Sequence, residues 1–140
     1  MMRSVKSTNL LPSWLDSETR ALLDDVISVL AQRHPELLAV ILYGSVARHE
    51  ERPLEETDPS DVDLLAVLDS EDPHVALQRG DALFHSLGLA YNRHLDAPRE
   101  VQVMFSSRTF QEWDPTFIAN VTRDGLVLFK RGPLPAPFAA

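Results

Sequence analysis

The chain has no cysteine. That absence excludes a disulfide framework, a thiol nucleophile and a thiolate zinc centre, and it agrees with a reducing compartment. Basic residues are also in deficit. Thirteen Lys and Arg stand against 21 Asp and Glu, for a formal charge of −8. A protein that grips a phosphate backbone through charge alone needs a basic surface, so direct nucleic-acid binding is not expected. No apolar run approaches membrane-spanning length, and the stretch MMRSVKSTNLLPSW lacks the apolar core of a signal peptide. These features predict a cytoplasmic protein with no membrane association. What remains is ordinary for a globular protein: 140 residues, 44% hydrophobic and 24% charged, enough for one domain with its own core.

Periodicity sets the elements. Residues 1–12 read as a loosely ordered lead. Leu22, Leu23, Val26, Ile27 and Leu30 form one face of a helix over 14–33 that stops before Pro35. Leu37 to Tyr43 is a run of branched residues, too short for a helix, and predicts a strand buried on both faces. Gly44-Ser45 breaks it, with a short helix expected from Val46. Residues 50–60 form an acidic, proline-containing loop. Asp61 to Leu68 predicts a second strand, with Asp61, Asp63, Leu65 and Val67 on one face. Asp72-Pro73 opens a helix that Gly88 is expected to close. Glu100 to Phe105 predicts a third strand, 107–113 a short helix burying Phe110 and Trp113, Asp114-Pro115 another helix start, and Leu126 to Phe129 a last strand. The tail RGPLPAPFAA reads as extended. The whole is an α/β (α+β) domain over 13–130, a mixed β-sheet flanked by helices, followed by a Pro-rich tail over 131–140.

Two places carry chemistry. Gly44 lets a ligand approach the main chain, Ser45 adds a hydroxyl, and free amides opening a helix at Val46 would suit an anion. Asp61 and Asp63 lie two apart on a strand, so their carboxylates share a face and repel. Two such charges raise a pKa unless a cation sits between them, and magnesium prefers oxygen ligands of this kind. Asp63 also interrupts an otherwise apolar strand, where an unpaired charge is costly. Arg48 and His49 lie where a basic group could meet phosphates or simply face solvent. His94, in the loop before the third strand, is a weaker candidate. Trp14 and Trp113 read as core or interface residues.

The segments Tyr43-Gly44-Ser45-Val46-Ala47-Arg48 and Ser60-Asp61-Val62-Asp63-Leu64-Leu65 resemble the nucleotidyltransferase superfamily that includes the DNA polymerase β palm. They look most like its minimal single-domain members, which often act as antitoxins beside a HEPN-domain ribonuclease toxin. The resemblance is dense over 37–69 and weaker over 101–130. It implies a nucleotidyltransferase (polymerase β palm-like) fold. It also implies a triphosphate held at Gly44-Ser45 with Arg48 nearby, and two Mg2+ ions on Asp61 and Asp63. The reaction would transfer an NMP, AMP from ATP in the leading reading, to a hydroxyl. The implied acceptor is a partner toxin, and a homo-oligomer is a further option.

Two departures stand out. Fifteen residues (46–60) separate Ser45 from Asp61, more than the family usually has. The third carboxylate, from a later strand, aligns with Gln102; Glu100 lies on the same face, roughly 6–7 Å away by strand rise. The competing readings are therefore an enzyme using Asp61, Asp63 and Glu100, a non-catalytic antitoxin of the same fold that acts by binding, and transfer to a small molecule such as an antibiotic.

Overall fold

A computed structural model describes residues 11–138. The element order is α1 (Ser17–Arg33), β1 (Leu37–Tyr43), β2 (Val62–Leu68), α2 (Pro73–Arg93), β3 (Val101–Ser106), α3 (Pro115–Asp124) and β4 (Leu126–Lys130). The four strands form one mixed sheet in the order β3-β2-β1-β4. β1 runs antiparallel to both β2 and β4, and β3 runs parallel to β2. This is the expected α+β architecture, three helices on a mixed sheet.

Strand alternation divides the core in two. Val40, Leu42, Leu64, Ala66 and Leu68 point to one face, where α1 brings Leu23, Ile27 and Leu30 and α2 brings Leu83 and Leu87. Ala39, Ile41, Leu65 and Val67 point to the other, where α3 supplies Ile118 and Val121, and the 107–113 segment supplies Phe110. This second layer is smaller. It covers Leu65 and Val67 but leaves Asp61 and Asp63 half-buried and Gln102 and Met104 exposed. One corner of the sheet is therefore open, at the start of β2 and along β3.

The helix starts follow local chemistry. Asp16, Asp72 and Asp114 are N-caps whose side chains accept from the amides of Thr19, His74 and Thr116, and Pro73 and Pro115 occupy first-turn positions where a missing amide is harmless.

Several expectations are corrected. α1 begins at Ser17, capped by Asp16, rather than at residue 14. α2 does not end at Gly88 but continues to Arg93, whose guanidinium binds Asp25 of α1 through two bonds of 2.8 and 2.9 Å. A tertiary clamp thus outweighs the modest penalty of glycine in a helix. Residues 107–113 are turns, not a helix. Phe110 has φ 59, and the Glu112 carboxylate accepts from the Ser107 amide and hydroxyl, both at 2.7 Å, competing with helical hydrogen bonds. Val46 begins turns rather than a helix. The loosely ordered lead expected over 1–12 lies mostly outside the described residues, but Leu11 is buried in the main core. The tail is not simply extended: Leu134 and Phe138 pack on the smaller core, Phe138 edge-on to Phe110 at 5.2 Å.

Candidate active site

β1 ends at Tyr43, and the chain turns sharply at Gly44, where φ is +82. Across the antiparallel ladder Tyr43 is the register partner of Asp63. Gly44 is consequently pressed onto that aspartate: a β-carbon there would stand 2.6 Å from Asp63 Oδ2. Only glycine satisfies both the positive φ and the close approach.

Beyond Gly44 the chain makes one compact turn. The Arg48 amide donates to the Gly44 carbonyl at 3.2 Å, His49 to Val46 at 3.1 Å, and Glu50 to Ser45 at 2.8 Å. The amides of Ser45, Val46 and Ala47 have no acceptor among the described residues. They are the orphan donors that a helix start would have offered, supplied here by a turn. One residue not singled out in the sequence as part of the site braces this turn. Trp14 donates its indole N–H to the Val46 carbonyl at 2.9 Å. It also stacks on His49, with ring centroids 4.5 Å apart and planes 17° from parallel. No periodic pattern signals this pairing, because Trp14 precedes α1 and is brought in by tertiary packing.

β2 begins at Val62 rather than at Asp61, so it holds Asp63 while Asp61 stands immediately before it, near enough for its charge to act on Asp63. Burial, and then the neighbouring Asp61 charge, push the Asp63 carboxyl above its ordinary range. Tyr43 responds to the same environment. Burial and then the Asp63 charge raise its hydroxyl to about 12. Its ring is held edge-on to Phe117 of α3 at 5.4 Å. The site is thus an anionic corner, and among the described residues no Lys, Arg or His is paired with Asp63.

β3 delivers Gln102, not an acid, to this corner. Gln102 is the register partner of Asp63 and donates from Nε2 to Asp61 Oδ2 at 3.2 Å. Glu100 is exposed, and its backbone carbonyl accepts from Val62 at 2.8 Å. Among the described residues no three His, Asp or Glu side chains converge as a metal-binding group. Asp61 and Asp63 alone are still a donor set that suits a hard divalent cation, which commonly takes one or two carboxylates and completes its shell with substrate phosphates and water.

Arg48 is exposed, and its guanidinium meets Glu50 Oε1 at 2.8 Å and Asp124 Oδ2 at 3.9 Å. His94 lies away from the site, bonded to Asp25 at 3.0 Å between α1 and α2. The 50–60 loop is tied at its neck. The Arg52 amide donates to Ser60 Oγ and its Nε to the Asp58 carbonyl, both at 2.7 Å. The buried Arg99 donates to the Ser60 carbonyl at 2.9 Å, immediately before Asp61. Arg99 therefore fixes where β2 begins, a role a lone arginine in a polar loop does not announce. No helix among the described residues is long and apolar enough to cross a membrane.

No protein-family model matches the chain, and no curated protein matches it significantly. Solved structures do. A toxin–antitoxin with AMP-PNP is similar at 18% identity and TM-score 0.47, over 78% of this chain and 73% of that one. A point mutant of the toxin–antitoxin MntA–HpeT is similar at 15% identity and TM-score 0.46, over 79% and 73%. A candidate nucleotidyltransferase from Sulfolobus solfataricus is similar at 18% identity and TM-score 0.47, over 82% and 85%.

Proposed function

We propose that the chain is a magnesium-dependent nucleotidyltransferase of the polymerase β-like kind that moves AMP from ATP to a hydroxyl on a HEPN-type toxin, as the antitoxin of the pair. One observation carries the reading: the Gly44 main chain lies against the Asp63 carboxylate, so that a turn with free amides and a pair of aspartates share one open corner. Phosphate and metal chemistry requires that juxtaposition.

In this reading the turn amides and Ser45 bind the triphosphate, and Arg48 exchanges Glu50 for a phosphate oxygen. Asp61 and Asp63 would hold the magnesium, which when bound neutralises phosphate charge during in-line displacement. The acceptor oxygen bonds to the α-phosphorus as pyrophosphate leaves, and Glu100 takes the hydroxyl proton. The open corner suits an acceptor carried on another folded protein. The protein's own contribution is chiefly placement and charge compensation.

A second reading is favoured by Gln102. An amide at the register position beside Asp63 cannot serve as a base, and Glu100 is exposed. The same fold would then neutralise the toxin by direct binding. Incubating the chain with a co-expressed HEPN-type ribonuclease, magnesium and ATP labelled at the α-phosphate separates the two. Label on the ribonuclease, lost in Asp63→Ala, supports transfer. A stable complex without label, with each of the four NTPs, supports binding alone and sinks the enzyme.

A further inference from the structure

β3 is an edge strand, and its unpaired side can be worked out atom by atom. The Val62 amide donates to the Glu100 carbonyl, and Val62 is the register partner of Val101. In a parallel ladder this fixes the alternation: residues 100, 102, 104 and 106 bond toward β2, and 101, 103 and 105 point their N–H and C=O groups outward. At one end the Val101 carbonyl is already taken by the Tyr91 hydroxyl at 3.0 Å. At the other the Ser107 amide is taken by Glu112, and the Ser107 carbonyl accepts from Ser106 Oγ at 2.8 Å. Between them, the N–H and C=O groups of Val103 and Phe105 have no partner among the described residues.

This edge lacks the usual protections. VQVMFS holds no charge and no proline, and its register with β2 is unbroken. The opposite edge differs: β4 is short, its pairing with β1 has a register irregularity, and it ends on Lys130. The rim of β3 is apolar as well. Met104 is 42% exposed on the site face. On α2, Gly80 packs on Phe105, and Leu77 and Phe84, three residues before it and four after, are 73% and 63% exposed. Farther along the same helix Leu89 is 40% exposed, less than either of these two.

We infer that β3 pairs with β3 of a second copy of this chain, antiparallel, about a two-fold axis at Met104. Val103 of each copy pairs with Phe105 of the other, and each pair exchanges both N–H···O bonds, which uses the open N–H and C=O groups of Val103 and Phe105 on both edges and leaves the Val101 N–H outside the pairing. Met104 then faces its own counterpart in a non-hydrogen-bonded position, where side chains come closest. The interface is isologous, as two-fold symmetry requires, and joins two four-stranded sheets into one.

The absence of cysteine makes this directly testable. Met104→Cys would be the chain's single cysteine, and facing non-hydrogen-bonded positions are about 4.5 Å apart between α-carbons, within reach of a disulfide. Under mild oxidation Met104→Cys should form a covalent dimer, and Leu95→Cys, on a side chain 82% exposed elsewhere, should not. Sedimentation of the full chain should show a dimer that is lost in Met104→Arg and in Val103→Pro. The proline removes only an outward N–H, so the ladder to β2 is spared and the circular dichroism should not change. A chain that stays monomeric at every concentration overturns the inference, as does a dimer untouched by both folded variants. If both variants misfold, the cross-linking result decides: no Met104→Cys dimer, or one no faster than Leu95→Cys, overturns it.

Discussion

Gly44 and Asp63 are packed so closely that a single β-carbon at residue 44 would stand 2.6 Å from the Asp63 carboxylate oxygen. The contact joins the turn after β1 to the aspartate of β2. Gly44→Ala adds both a clash and a side chain at φ +82, and strained backbone of this kind costs on the order of 1–3 kcal/mol. Thermal denaturation should show that loss. The double variant Gly44→Ala with Asp63→Gly should be less destabilised than the two singles summed, because the clash has gone and only the backbone strain remains. Simple additivity would mean that the two residues do not press on each other.

Asp63 has its carboxyl pKa raised by burial and by Asp61. The folded state therefore holds its proton more tightly than the unfolded state, so stability falls as pH rises from the unfolded value through the raised folded one. The penalty is absent below the unfolded pKa and fully present above the folded one. Asp63→Asn should raise the melting temperature at neutral pH without added metal and flatten the acid limb of the profile. Magnesium should stabilise the wild type and leave Asp63→Asn unmoved. A variant less stable than wild type at neutral pH would show that Asp63 already has a compensating partner.

Gln102 decides the charge of the site. Gln102→Asp should place a third carboxylate beside Asp61 and Asp63, lower stability in chelator and raise affinity for manganese, measured calorimetrically. If a missing acid limits transfer, the same change raises activity. Gln102→Ala loses one exposed bond to Asp61, worth about 1 kcal/mol or less. Equal metal affinity in all three proteins would place the cation elsewhere.

Trp14 provides a reporter. Its indole is bonded to Val46 and stacked on His49, both on the turn that carries the free amides. In a Trp113→Phe background the remaining fluorescence should change on titration with magnesium and ATP, and the change should vanish in Gly44→Ala. Titration of the same background with ATP and chelator should give a weaker response. No change on binding that calorimetry detects would mean that the nucleotide does not engage this turn.

Much of this was legible in the sequence, for identifiable reasons. β1 was readable to the residue because a branched run is bounded by Pro35 and Gly44, and Asp63 was readable as a strand residue because the apolar run around it continues to Leu68. The 107–113 segment was not. Its apolar spacing is helical, but Phe110 takes a left-handed conformation and Glu112 captures the Ser107 donors, a local side-chain bond that the apolar spacing does not reveal. Gly88 misled because a glycine stop is only a local preference, and the Arg93–Asp25 pair carries the helix past it. In the site, Tyr43, Trp14 and Arg99 gain their roles from residues 20 or more positions away, and no local pattern encodes such distances.

The open corner of the sheet would have a kinetic consequence for the proposed transfer. A nucleotide held there would be bathed in solvent until another surface closed over it, so water would compete with every intended acceptor. Fidelity would then come from the lifetime of the bound nucleotide relative to the arrival of its acceptor, not from an enclosed chamber. The proposed use of the exposed Glu100 as base would suit that arrangement, because a site slow toward water loses little while it waits.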